Sequence, residues 1–249
     1  MHEVRLDQDY HVHTSFSDDA VDTPAANLAA AVDAGLTTLC LVDHVRADTT
    51  WVPVQVAVVR DLAARTPLTL LAGVEAKILD ASGALDLPAD ADLVDHVLVA
   101  DHQFPSESGP LAPSVVAEQI ARGDRRAGDV VVQLVDAMVC ALHRVERPVL
   151  AHPFSLLPKM GLDEAAVSDT LLHHLAAGAR SAGALVEVNE KWDCPGPRLA
   201  EALARRGVRL VAGSDSHRCV DVGRYRRVAD NLGGWHPGVV RAGELAGTP

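Results

Sequence analysis

Short β-rich runs alternate with longer helical patterns along nearly the whole chain, and this alternation constrains the fold more than any other feature. The runs are RLDQDYHV (5–12), TTLCLVD (37–43), LTLLAGVE (68–75), DHVLVA (95–100), RPVLAH (147–152), GALVEVN (183–189) and VRLVAGSD (208–215). Between them, TPAANLAAAVDAG and GPRLAEALARRG each combine an early Pro or capping residue with a closing Gly, the start and stop signals of a helix. AGDVVVQLVDAMVCALHRV and DEAAVSDTLLHHLAAGA repeat apolar residues at spacings of three and four, as core-facing helices do. Strands separated by helices pair in parallel. Seven of them in a chain of 249 residues suit one closed barrel better than two small domains.

Two segments depart from the pattern. Residues 103–128, QFPSESGPLAPSVVAEQIARGDRRAG, form a Pro/Gly/Ser-rich excursion with a short helix, placed where a lid could cover a site. Residues 236–249 have breaker residues and little periodicity, and read as a tail following a barrel of residues 1–235. A net charge of −12 argues against a surface for long nucleic acid, which would need a basic stripe. It leaves small anionic substrates open, because a cation cluster can reverse the local sign. No apolar run reaches membrane-spanning length and the first ten residues are polar, so the expected location is the cytoplasm. Four scattered cysteines without a CxxC pair agree with reduced thiols there.

The polar residues gather where the strands end. The first strand closes on His11 and His13, with Asp18 and Asp19 behind them. The second ends in Asp43 and His44, the third in Glu75, and the fourth runs into Asp101 and His102. His152 closes the fifth, and Asp215 and His217 follow the last. In a parallel barrel these ends share one rim, where the active sites of such enzymes lie. Each element alone has a bland reading: HxH as paired surface histidines, VDH as a cap, AHP as a turn. Together they are costly to bury without a cation, and imidazole with carboxylate is a ligand set for Zn, Mn or Fe. His96 opens its strand and belongs to the opposite rim, while His143, His173 and His174 fall within helices.

The segments DYHVHTSFSDDA, LVDH, GVEAKI, VADH, LAHPF and GSDSH, spanning residues 9–217, resemble in order the signature of the PHP family, named for polymerase and histidinol phosphatase. The resemblance implies a distorted (β/α)7 barrel with two or three divalent ions at the C-terminal ends of the strands. Carried over by position, His11, His13, Glu75 and Asp215 would hold one ion. Glu75 would bridge to a second held by His102 and His152, and Asp19, His44 and His217 would hold a third. Position 19 is histidine in some relatives. The second half of the chain is most similar to the histidinol-phosphate phosphatase branch, although Asn189-Glu190-Lys191 departs from its usual pattern.

The implied chemistry is hydrolysis of a phosphate monoester by a metal-bridging hydroxide, with Asp215, His217 and Glu75 at the reacting centre. Asp43 and Asp101, each beside a ligand histidine, are candidates to orient an imidazole. Lys191 and Arg218, with Arg198 and Arg224, are candidates to bind phosphate, because arginine suits forked phosphate contacts. Lys77 is a weaker one. The expected partner is a small phosphorylated substrate. The alternatives are a nucleotide phosphatase or short-oligonucleotide exonuclease of the same family, and a non-catalytic metal-binding domain. Amidohydrolases also open on HxH, but they usually need a bridging lysine on a middle strand, and no residue ending the fourth run offers one.

Overall fold

The computed structural model describes residues 4–233, so His2, His236 and the tail read at 236–249 lie outside the described residues. Seven parallel strands form one sheet, in the order β1 (Gln8–Val12), β2 (Thr38–His44), β3 (Thr69–Lys77), β4 (His96–Ala100), β7 (Pro148–Ala151), β8 (Leu185–Asn189) and β9 (Arg209–Gly213). The two edges nearly close: beyond the regular ladder, the His13 amide donates to the Ser216 carbonyl at 2.8 Å and the Ser216 amide to the His11 carbonyl at 3.3 Å. Asp9 seals the same seam, its buried carboxylate accepting from the amides of His11, Ser214 and Gly223. The result is the distorted seven-stranded barrel expected from the alternation.

Strand parity explains what faces the lumen. Cys40 and Val42 of β2, Leu98 and Ala100 of β4, Val149 and Ala151 of β7 and Val211 of β9 pack together inside the barrel. Their alternates pack outward: Leu39, Leu41, Ala72 and Val74 form one outer layer and Leu150, Val186, Val188, Leu210 and Ala212 another. Side chains alternate along a strand. Each inward row therefore reaches the upper rim at His11 and His13, His44, Glu75, Glu187 and Asp215. A register shift between Asp9 and Val12 in β1 re-aims the first pair locally.

The helices lie outside. Helix α1 (Pro24–Asp33) is capped by the Thr23 side chain accepting from the Ala26 amide, and α2 (Val52–Ala63) fills the gap before β3. α4 (Ala127–Leu142) and α6 (Pro197–Arg205) follow the expected patterns. The stretch from Asp163 is not one helix. Asp163 caps a short 3-10 turn, Ser168 then caps α5 (Asp169–Ser181), and two capping residues five apart divide what the apolar spacing joins. The excursion at 103–128 contains a hairpin, β5 (Phe104–Ser106) with β6 (Gly109–Leu111), and α3 (Pro113–Arg122), which Gly123 ends in the left-handed region. Phe104 and Val116 bury it against the main core. A last helix, α7, spans Arg227–Gly233.

Candidate metal centre

Glu75 is the hub of the rim. It is buried, and its Oε1 lies 2.9 Å from His152 Nε2 and 3.0 Å from His102 Nε2. Its Oε2 lies 2.9 Å from His44 Nδ1 and 3.5 Å from both His11 Nε2 and His13 Nε2. Asp215 approaches from β9, with Oδ1 3.6 Å from His13 Nε2 and 3.5 Å from His217 Nδ1. Asp19, half exposed, places Oδ2 3.1 Å from His217 Nε2 and 3.5 Å from His44 Nε2. All nine residues expected to hold metal thus meet at one mouth. Three sets bring one ligand atom per residue within 4.8 Å of one another: His11, His13 and Glu75; His44, Glu75 and His102; and His13, His44 and His217.

These residues suit divalent cations on their own geometry. Glu75 Oε2 is buried and makes no hydrogen bond among the described residues, despite three imidazoles within 3.5 Å. His11 and His13 also face each other nitrogen to nitrogen at 3.0 Å, where only one can carry a proton. A shared cation satisfies both conflicts, because it accepts lone pairs from several directions.

The remaining nitrogens of the buried histidines are held from behind, which fixes ring orientation in a metal site. His11 Nδ1 meets Glu187 Oε1 at 3.0 Å. His13 Nδ1 lies 3.3 Å from Ser17 Oγ, whose own hydroxyl donates to Asp43 Oδ1 at 2.7 Å. Ser17 therefore accepts the His13 Nδ1 proton, leaving the Nε2 lone pair pointed at the cluster. His152 Nδ1 sits 3.4 Å from Asp101 Oδ1 and 3.3 Å from Ser155 Oγ. Asp101 thus supports His152 rather than its neighbour His102. Asp43 touches no imidazole: it faces away from His44 by strand parity and binds Thr14, Ser17 and Gln55, reaching His13 only through Ser17.

His152 and Asp215 carry positive φ angles of 30° and 52°. Such strain costs roughly 1–3 kcal/mol per residue and concentrates at functional sites. At His152 it has a clear use. The inward residues of β7 are Val149 and Ala151, so an unstrained position 152 would point out of the barrel.

Charge is tightly coupled here. Burial works to raise the Glu75 carboxyl, yet His102 and His11 outweigh it and hold it well below the ordinary range. Asp215 is likewise held down against burial by His11 and His152. Burial disfavours the charged imidazole of His152, but Asp101 and Glu75 push it up to about 10. His13, buried and beside His11, is driven well down.

The cationic candidates separate. Lys191 stands in the mouth, with Nζ 3.1 Å from Asp215 Oδ1 and 3.2 Å from His217 Nδ1. Arg218 and Arg224 line an adjoining groove. Arg198 is not brought to the site; its guanidinium binds the carbonyls of Glu164 and Val167. Lys77 faces Gln103 Oε1 at 3.4 Å, on the rim of a cleft of about 560 Å³. Phe16 and Trp51, with centroids 5.2 Å apart, form an aromatic wall of that cleft. Glu187 and Trp192 escaped the sequence reading. Trp192 donates from Nε1 to Asp215 Oδ2 at 2.9 Å. The cue for Glu187 was present: it is the one acidic side chain within LVEVN, on the inward parity.

No protein-family profile matches the chain. A protein of Acetivibrio thermocellus named "Probable phosphatase" is 28% identical over 169 residues, covering 64% of this chain and 57% of the relative. The match therefore spans less than two thirds of that relative's length. A probable phosphatase of Caldanaerobacter subterraneus is 25% identical over 242 residues, covering 89% of this chain and 80% of the relative. Among solved structures, a histidinol phosphate phosphatase from Lactococcus lactis, complexed with zinc, L-histidinol and phosphate, superposes with a TM-score of 0.65 at 14% identity. That superposition covers 92% of this chain and 94% of the other, so the two share a fold. The relatives' names and the shared fold agree with the resemblance carried by the motifs.

Proposed function

We propose that this chain is a metal-dependent phosphoric monoester hydrolase acting on a small phosphorylated molecule. The observation that carries the proposal is the convergence of imidazoles from four other strand ends on Glu75, whose buried Oε2 is left without a hydrogen bond among the described residues. His11, His13, Glu75 and Asp215 would hold one ion, Glu75, His102 and His152 a second, and Asp19, His44 and His217 a third. Zn, Mn or Fe suit these ligands. Ions bound there would neutralise phosphate oxygens and supply a water acidic enough to react near neutral pH.

The chain's own residues do the rest. Trp192, Asn189 and Lys191 fix the Asp215 carboxylate from outside. Glu187, Ser17 and Asp101 hold the imidazoles so that each presents a free lone pair. Lys191 places a positive charge at the mouth, where a non-bridging phosphate oxygen arrives. The cleft walled by Phe16 and Trp51 can receive the alcohol portion and exclude water from one side of the ester.

Histidinol phosphate is the first substrate to try, since the structural neighbour was crystallised with histidinol and phosphate. A second reading, a nucleotide phosphatase, draws on the aromatic wall, which suits a stacked base equally well. Phosphate release should be measured on metal-analysed protein with histidinol phosphate and nucleoside monophosphates. Preference for histidinol phosphate is the expected result; preference for a nucleotide moves the assignment to the second reading, and no release from any ester overturns both. Among the described residues no helix is long and apolar enough to cross a membrane. With buried, unpaired Cys40 and Cys194, we assign the activity to the cytoplasm.

A further inference from the structure

Two clefts of opposite character open from the metal mouth. The first, beside Phe16 and Trp51, sets Asp18, Asp48 and Asp86, in addition to the ligand carboxylates, against Arg46 and Lys77. The second, of about 480 Å³, shares Lys191, Asp215 and His217 with the mouth and continues past them along the segment that follows β9. Its cations are Lys191 and four arginines, Arg218, Arg224, Arg226 and Arg227. Its carboxylates are Glu190, Asp215 and Asp221.

The pairing within this groove is uneven. Arg227 is engaged with the carbonyls of Glu190 and Lys191, and Lys191 with Asp215. Glu190 spends one carboxylate oxygen on the backbone amides of Arg226 and Val228, each at 3.0 Å. Asp215 belongs to the metal centre, and Asp221 pairs with none of the arginines. The side chains of Arg218, Arg224 and Arg226 therefore make no hydrogen bond or ion pair among the described residues, and all three are exposed.

That is unusual for this chain. Carboxylates outnumber its basic residues by 34 to 22, and most of its arginines find a partner, such as Arg60 with Asp95, Arg122 with Glu118 or Arg205 with Glu201. Among the described arginines only Arg46 and Arg126 are also without a side-chain partner. Gathering three unpaired guanidinium groups on an acidic protein, beside the catalytic mouth, raises the local positive potential where a ligand enters. Each also keeps a free fork for an anion.

The geometry points to a second anion subsite: the groove of Arg218, Arg224 and Arg226 takes a second phosphate or a carboxylate of the substrate, while the scissile phosphate lies at the metal centre. The inference rests on the phosphomonoesterase reading and extends its candidate substrates beyond histidinol phosphate, which has no second anion, to doubly anionic small molecules. It also reassigns Arg218 and Arg224 from the scissile phosphate to the distal group.

The test compares kcat/KM for glucose 6-phosphate, 6-phosphogluconate and glucose 1,6-bisphosphate, which add a carboxylate or a second phosphate to one carbon skeleton. The metal-loaded wild type should favour one or both double anions over glucose 6-phosphate by about tenfold, the worth of one charge-assisted contact. A gain with the bisphosphate alone identifies a phosphate site, and a gain with both a general anion site. In Arg224→Glu/Arg226→Glu that preference should collapse through KM, and Arg224→Lys/Arg226→Lys should restore part of it. Equal rates on all three compounds overturn the inference while leaving the phosphatase reading intact. So does a parallel loss on all three in the charge-reversed variant, which would return the arginines to the scissile phosphate. If the wild type releases phosphate from none, calorimetric binding of glucose 1,6-bisphosphate decides: about tenfold weaker binding by the Glu variant supports the subsite, and equal binding overturns it.

Discussion

Glu187 ties two ligand strands together with one carboxylate, binding His11 Nδ1 through Oε1 and the His152 amide through Oε2 at 2.6 Å. It is fully buried, and the position facing it must be glycine, since a Cβ at Gly213 would sit 1.8 Å from Oε1. Glu187→Gln keeps the volume and removes the charge. Loss of such a supporting carboxylate typically weakens metal binding roughly 10–100-fold, so chelator competition should show a drop of that order with an unchanged circular dichroism spectrum. Unaltered affinity would mean that His11 is positioned by its strand alone. Asp19 makes a separate case, because it is half exposed and, among the described residues, its carboxylate meets only His44 and His217. Elemental analysis of Asp19→Ala should show one ion fewer per chain than the wild type; an equal count would remove Asp19 from the ligand set.

At the scale of elements, alternation made the barrel legible. Inward parity carries His44 and Glu75 to the rim directly from TTLCLVDH and LTLLAGVE. The supports were less legible, because they depend on which loop folds back. Ser17 and Ser155 reach their imidazoles from turns whose course no periodicity encodes, and Asp101 serves His152 at the end of the adjacent strand rather than its sequence neighbour. Arg198, a phosphate-binding candidate because it follows β8 in sequence, instead sits in the first turn of α6 with its guanidinium on the carbonyls of Glu164 and Val167. Asp95 shows how an element is fixed to the barrel. Its carboxylate takes both Arg60 nitrogens of α2 at 2.8 Å and the Ala72 amide of β3 at 2.8 Å. Burial tends to raise its carboxyl, but the Arg60 contact and the Ala72 amide bring it below 3.8. A carboxyl depressed on folding stabilises fully above its unfolded value and loses that contribution as pH falls through its lower folded one. Because Arg60 is largely exposed, Asp95→Asn should cost only about 0.5–1 kcal/mol at pH 7. The difference from wild type should shrink as pH falls below 3.8, and a difference independent of pH would show that charge is not the cause.

Over the whole molecule, the sheet gathers buried carboxylates and imidazoles at one end of a lumen otherwise filled by small apolar side chains. Burying so many ionisable groups is unfavourable unless cations offset it. Bound ions should therefore stabilise the fold by mass action, by about 2.7 kcal/mol at a hundredfold excess over Kd. Dialysis against a chelator should lower Tm by several degrees, and Zn or Mn should restore it. A Tm indifferent to metal would contradict a structural stake in the cluster.

Phosphate release by Asp215→Ala tests the central claim most directly. Asp215 draws on β9, touches His13 and His217, and is held by Trp192 and Lys191, so its removal opens the cluster without emptying the core. With p-nitrophenyl phosphate and saturating metal, the wild type should release phosphate and the variant should lose at least about 99% of the rate, as for an interaction specific to the transition state. A folded Asp215→Ala protein working at the wild-type rate would contradict hydrolysis at this cluster.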